Sequence, residues 1–263
     1  MKNEVNRALV AKKKLTILFA ALTLCAGLWA INNVPYIDAN GQEQHRDGVT
    51  GVINSTDTLK DGWYVVMPTG SEKQTGTLVC QGEVHLIVYD NAKLTATGAD
   101  NKPGIEVSGE GNSLTIYGYT NQSGQLIAIG GANAAGIGGG NAAAGSNITI
   151  YGGKITANGG ENASAIGSGN GGDAASNIFV ATSFVVKADG NNPPSTVITN
   201  TGADLAESLA GQRYATVEKG DPTALPETED SKFKIQNSKF IKNGQFFIRK
   251  GGKAYSVGGA ELR

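Results

Sequence analysis

Apolar and polar residues alternate in short bursts through the middle of this chain, and the bursts return at a near-constant interval. Leu86-Ile87-Val88-Tyr89, Leu114-Thr115-Ile116-Tyr117, Ile148-Thr149-Ile150-Tyr151 and Ile178-Phe179-Val180-Ala181 form one series. Leu94-Thr95-Ala96, Leu126-Ile127-Ala128, Ile155-Thr156-Ala157 and Val186-Lys187-Ala188 form a second, and Ile105, Ile137, Ile166 and Val197 a third. The second and third series share spacings of 32, 29 and 31 residues. Gly, Asn and Asp separate the bursts, so each unit reads as three brief strands joined by turns. Side chains switch face at every strand residue, which puts Leu86/Val88, Leu114/Ile116, Ile148/Ile150 and Ile178/Val180 on one face. A single unit cannot bury that face, whereas stacked units can. Helices are excluded, because the bursts are short and rich in β-branched residues and glycine. A hairpin-built sandwich is the alternative, but hairpins have no reason to restore the same inward residue every thirty positions. The pattern therefore predicts an all-β fold: a parallel β-helix of about five short coils, three strands per coil, with a small C-terminal β tail.

Asparagines support stacking. Asn101, Asn133 and Asn162 recur in one turn, with Asn191 or Asn192 continuing them, and Asn147 and Asn177 recur in another. Stacked amides exchange hydrogen bonds between layers. Gly62-Trp63-Tyr64-Val65-Val66 and Thr77-Leu78-Val79-Cys80 fit the second and third strands of an earlier coil, whose first strand lies near Val49 to Ile53. At the other end, Ala203 to Ala210 reads as a short helix that, with Tyr214 to Val217, covers the last coil.

The flanks differ in composition. Lys2, Arg7 and Lys12-Lys13-Lys14 precede an apolar run from Leu15 to Ala30, too short for a bilayer span of about 20 residues. Residues 1–30 read as a secretory signal cleaved after Ala30, although Leu28 is bulkier than usual near such a site. An uncleaved anchor and lipidation at Cys25 are the competing readings. Residues 31–219 then hold the β-helix with its caps, 220–230 a turn-rich acidic linker, and 231–263 a basic hairpin or meander. The expected address is secreted or on the cell surface, with no stable membrane span after cleavage.

Charge and chemistry narrow the function mainly by exclusion. A formal net charge of -1 gives no global reason for nucleic-acid binding. His45 and His85 lack metal-ligand spacing, and no nucleophile elbow or phosphate loop occurs. Cys80, the one cysteine left after cleavage, reads as a small buried hydrophobe. Asp100 and Glu161 hold equivalent positions two coils apart, roughly 10 Å, too far to share one calcium ion. No catalytic group, metal or cofactor is expected.

One outward feature suggests a ligand. With Val88, Ile116 and Ile150 inward, Tyr89, Tyr117 and Tyr151 form an outward stripe whose phenols can stack on sugars. The link from Leu114 to Leu126 spans 12 residues, against seven or eight elsewhere, so the segment around Tyr119, Asn121 and Gln122 projects beside it. These six residues are the candidate carbohydrate-binding set; burial of the stripe under the C-terminal tail is the competing reading.

The runs Gly136-Ile-Gly-Gly-Gly, Asn-Ile-Thr-Ile-Tyr-Gly-Gly and Ile-Thr-Ala-Asn-Gly-Gly resemble glycine-rich right-handed β-helices of bacterial surface proteins, in the pectate-lyase-like class. Right-handedness agrees with the rule for parallel crossovers. The resemblance spans roughly Val49 to Thr199 and implies a non-catalytic carbohydrate-binding or adhesive module with a polysaccharide or cell-surface glycan as partner. A structural or protein-interaction solenoid is the alternative. The class's lyases use an arginine base and an acidic calcium site, but here no arginine lies between Arg46 and Arg213. The stretch from Lys239 is similar to C-terminal tails of secreted Bacteroidetes proteins, some of which act in sorting or anchoring. That similarity implies a Gram-negative source. Asp57-Thr58-Leu59 resembles an O-glycosylation site of the same group.

Overall fold

A computed structural model describes residues 30–52, 58–199, 201–220, 238–242, 245–250 and 253–256. The expected signal segment through residue 29, Asp57 and residues 221–237, which include the expected linker after Gly220, lie outside the described residues. The chain divides into two compact units, Met1–Gly220 and Asp221–Arg263. In the second, β22 (Ser238–Lys242), β23 (Gln245–Lys250) and β24 (Lys253–Ser256) pair as an antiparallel meander.

The first unit is all-β with several parallel sheets. From Gly62 onward the chain visits three sheets in a fixed order. The first sheet receives β6 (Gly62–Val66), β9 (Glu83–Val88), β12 (Ser113–Gly118), β15 (Ile148–Ile150) and β18 (Ile178–Val180). The second receives β7 (Lys73–Thr75), β10 (Lys93–Thr97), β13 (Gln125–Ile129) and β16 (Lys154–Asn158). The third receives β8 (Leu78–Cys80), β11 (Ile105–Glu106), β14 (Ile137–Gly138) and β17 (Ile166–Gly167). Upstream, β4 (Val49–Gly51) joins the first sheet and β5 (Thr58–Leu59) the third, while β1 (Ala30–Ile31) pairs antiparallel with β4. None of these sheets closes on itself among the described residues.

Like residues stack on like across the layers. Leu94, Leu126 and Ile155 are register partners, as are Ile105, Ile137 and Ile166. Leu114, Ile148 and Ile178 form the third ladder. All three ladders meet in one buried cluster, so an apolar face that no single layer could shelter is removed from water. Cys80 belongs to this cluster, and burial, then the neighbouring Glu106 carboxylate, push its thiol up to about 12. It is an inert hydrophobe. Corners are turned by asparagines in left-handed conformation, including Asn101, Asn133, Asn147, Asn162 and Asn177. The Asn133 amide donates to Asn101 Oδ1 at 3.3 Å and the Asn177 amide to Asn147 Oδ1 at 2.9 Å. Asn170, not Asn162, extends the first ladder, donating to Asn133 at 3.1 Å. Layers approach so closely that a Cβ on Gly160 would lie 2.0 Å from the Gly131 carbonyl oxygen.

Both ends depart from the expected repeat. Strand β6 sits in the first sheet, beside β9, and not in the second. Beyond β16 the second sheet turns antiparallel: β21 (Tyr214–Lys219) inserts between β16 and β19 (Phe184–Asp189), so Val186 does not rest on Ile155. Val197 lies in β20 (Val197–Ile198), which folds back on β19 and never reaches the third sheet. The Asp189 carboxylate explains the reversal, accepting backbone N–H bonds from Asn191, Ser195 and Thr196. These bonds hold the carboxyl well below the usual carboxylate range. The expected helix is one turn, α1 (Ala206–Leu209), with Leu205 and Leu209 buried over the last layer. Asp204 completes the cover by accepting the N–H groups of Asn177 and Ile178, the exposed edge of β18.

Candidate functional site

The outer face of the first sheet follows from the same alternation that fills the core. With Val84, Leu86, Leu114, Ile116, Ile148 and Ile150 inward, the intervening residues point away. Register pairing aligns Trp63, His85, Thr115, Thr149 and Phe179 in one outward column. Val65, Ile87 and Tyr117 form the next, which Tyr151 extends one residue beyond β15. This face is apolar and aromatic, so it too needs a cover.

An N-terminal hairpin supplies it. β2 (Val34–Ile37) and β3 (Glu43–Arg46) pair with each other and, among the described residues, with no other strand. Their turn carries Asn40-Gly41, with Gly41 at φ 76. The Asp38 carboxylate accepts from the N–H groups of Gln42 and Asn40 and from Gln44 Nε2, bonds that hold its carboxyl below the ordinary value. Val34 and Tyr36 face the sheet and join a second buried cluster with Val49, Val65, Ile87 and Tyr117. Tyr36 meets both Trp63 and Tyr117 with ring centroids 5.0 Å apart. Trp63 stacks on His85 at 4.3 Å, and the Arg46 guanidinium lies 5.1 Å from the Trp63 ring.

The candidate tyrosines therefore separate into different environments. Tyr117 is 8% exposed, and burial, followed by the nearby Tyr36, pushes its hydroxyl up to about 12. It lies under the N-terminal hairpin and offers no open ring. Its hydroxyl lies 3.2 Å from His85 Nδ1. Burial also lowers the imidazole below its ordinary value, against the opposing pull of Glu83, 3.2 Å from Nε2. Tyr89 is not in the column with Tyr117, because Tyr117 pairs with Ile87 and Gly118 with Val88. Continuing that register sets Tyr119 opposite Tyr89. Their rings stack at 4.6 Å and 22°, both partly exposed. Tyr151 is also partly exposed, flanked by Tyr117 at 5.8 Å and Phe179 at 5.9 Å.

The loop after β12 is held from below. The buried Asp90 carboxylate accepts from the Asn121 backbone and amide nitrogens at 2.9 and 3.0 Å. It also accepts from the Ser123 N–H and hydroxyl, both at 3.1 Å. Asn121, though exposed, thus commits its amide nitrogen to Asp90. Gln122 is buried in left-handed conformation (φ 55), and its Oε1 accepts the Gly153 N–H at 2.7 Å. Asp90, Tyr36, Trp63 and His85 were not expected at this site. Val34–Ile37, Asn40-Gly41 and the polar run after it did carry a hairpin signal.

Between the hairpin turn, this loop and the segment entering β19 lies a cleft of about 430 Å³. Tyr151, Gln122 and Thr120 line it, together with Asp38, Ser183, Phe184 and Lys219. Of the six expected residues, the fold joins Tyr89 with Tyr119 on one ledge and Tyr151 with Gln122 in the cleft beside it. Among the described residues, no three His, Cys, Asp or Glu side chains cluster as metal ligands, and no helix is long and apolar enough to cross a membrane. No protein-family model, curated protein or solved structure matches this chain.

Proposed function

We propose that this is a secreted or surface-exposed, non-catalytic carbohydrate-binding or adhesive protein of a Gram-negative bacterium. In this reading its body is a right-handed parallel β-helix of the pectate-lyase-like kind. Repeated passage through three sheets around one aliphatic cluster supports the helical description. The single observation that carries the function is the Tyr89–Tyr119 stack on a loop pinned by Asp90. The two phenols stack on each other and are partly exposed. They offer ring edges and hydroxyl tips, an apolar rim with polar ends that suits a sugar chain's CH groups and hydroxyls. A ledge held rigid before binding loses little entropy on association.

A glycan array probed with the full chain tests the reading. Tyr119→Ala is expected to weaken the strongest signals about tenfold, the scale of one lost aromatic contact, with an unchanged melting temperature. An array without any signal removes this function.

A further inference from the structure

The ledge leaves the neighbouring cleft unassigned, and the cleft is built from two kinds of chemistry. The Tyr151 ring and Phe184 make it partly apolar. Thr120, Gln122, Ser183 and Lys219 bring two hydroxyls, a carboxamide and an ammonium group. Its parts are fixed. Gln122 is locked through Gly153, and glycines make room for its head: a Cβ on Gly118 would lie 1.9 Å from Oε1, and one on Gly152 2.7 Å. With the amide oxygen engaged, its NH₂ remains as the donor. The roof, the turn from Ile37 to Gly41, is clasped by Asp38, whose carboxylate oxygens are taken up by hydrogen bonds within the turn.

This inventory selects a ligand class. A phosphate or sulfate group would find one ammonium and no guanidinium fork. A wholly apolar ligand would strand the hydroxyls and the amide without partners. A pyranose ring satisfies both halves, its CH face on Tyr151 and its hydroxyls toward Thr120, Gln122 and Ser183. The roof and the loop both line the cleft, and its volume of about 430 Å³ suits a single sugar residue better than a length of chain. We infer that the cleft takes one neutral sugar residue, the terminus or a side branch of the glycan whose chain lies on the Tyr89–Tyr119 ledge. This inference rests on the glycan reading above and adds to it the form of the sugar recognised.

The test uses the full chain and free neutral monosaccharides (hexoses, deoxyhexoses and N-acetylhexosamines), with linear and branched oligosaccharides as a second panel. Ligand-observed NMR is expected to detect one monosaccharide type. Ser183→Trp, a change at an exposed position that fills the cleft, is expected to abolish that signal and to lower affinity for branched or terminal-sugar oligomers about tenfold, the scale of a lost ring contact. Tyr151→Phe, which keeps the ring, is expected to retain binding, whereas Tyr151→Ala loses it. Binding to linear chains should survive Ser183→Trp and weaken about tenfold with Tyr119→Ala. If Ser183→Trp leaves every sugar's affinity unchanged while Tyr119→Ala weakens binding, the cleft assignment is overturned and the glycan reading stands. If the unmodified chain binds no sugar in either panel, both fall.

Discussion

Both faces of the first sheet carry buried apolar residues, yet the two are stabilised differently. On the inner face, Leu114, Ile116, Ile148 and Ile150 pack against aliphatic partners from the other two sheets and are fully buried. Each layer is needed by the layers on either side of it. On the outer face, Val65, Ile87 and Tyr117 are covered by a hairpin that, among the described residues, pairs only with itself and is attached by side chains. The inner face is thus a collective property of the repeat, while the outer one depends on a single appended element. Aromatic residues mark the second case, because a ring can reach a cover that does not share the sheet's register.

Substitutions can break this contrast, beginning with the largest effect. Ile116→Ala should cost about 2–5 kcal/mol, the range for an aliphatic deletion in a close-packed core, and lower the melting temperature of the whole first unit in a single transition. Asp90→Ala should cost about 1–3 kcal/mol, because four hydrogen bonds from Asn121 and Ser123 to a buried carboxylate are lost together. Hydrogen exchange should then rise at residues 119–123 while the sheet strands stay protected. Tyr36→Ala removes two aromatic contacts, a loss of about 1–2 kcal/mol. It should open residues 34–46 to protease without changing the cooperativity of core unfolding. If Tyr36→Ala instead unfolds the sheets as completely as Ile116→Ala, the two faces are not independent.

The smallest effect is one of pH. Because folding holds His85 below its ordinary value, the unfolded chain takes up its proton first on acidification. The contribution is complete above the unfolded value near 6.5 and is lost as pH falls through it toward the lower folded value. Melting temperature should decline across that window, and His85→Gln should flatten the decline. Asp189 and Asp204, held below the usual carboxylate range, act only at lower pH.

Much of the interior was legible because stacking imposes the same requirement on every layer. The inward ladders at Leu94/Leu126/Ile155 and Ile105/Ile137/Ile166 stand in the register that their spacing implies. The site was less legible. Aligning Tyr89 with Tyr117 assumes that Leu86 is the counterpart of Leu114, but β9 begins at Glu83, opposite Ser113, and carries Val84-His85 before Leu86. That extra pair moves Tyr89 two places on, to face Tyr119. A shift of two preserves which side chains point inward, so the aliphatic pattern could not reveal it.

By itself, the sequence determined the all-β character, the three repeated strand positions, the inward residues and the turn asparagines. Each of these follows from a local rule, alternation or left-handed turn geometry, applied repeatedly. Only the tertiary structure decided what lies over the outer face, which tyrosines remain open, and where the last strands go. Those outcomes depend on contacts between segments far apart in the chain, such as Tyr36 with Tyr117 and β21 with β16. No periodicity records such contacts, because each occurs once, and its energy is gained only when both segments are already in place.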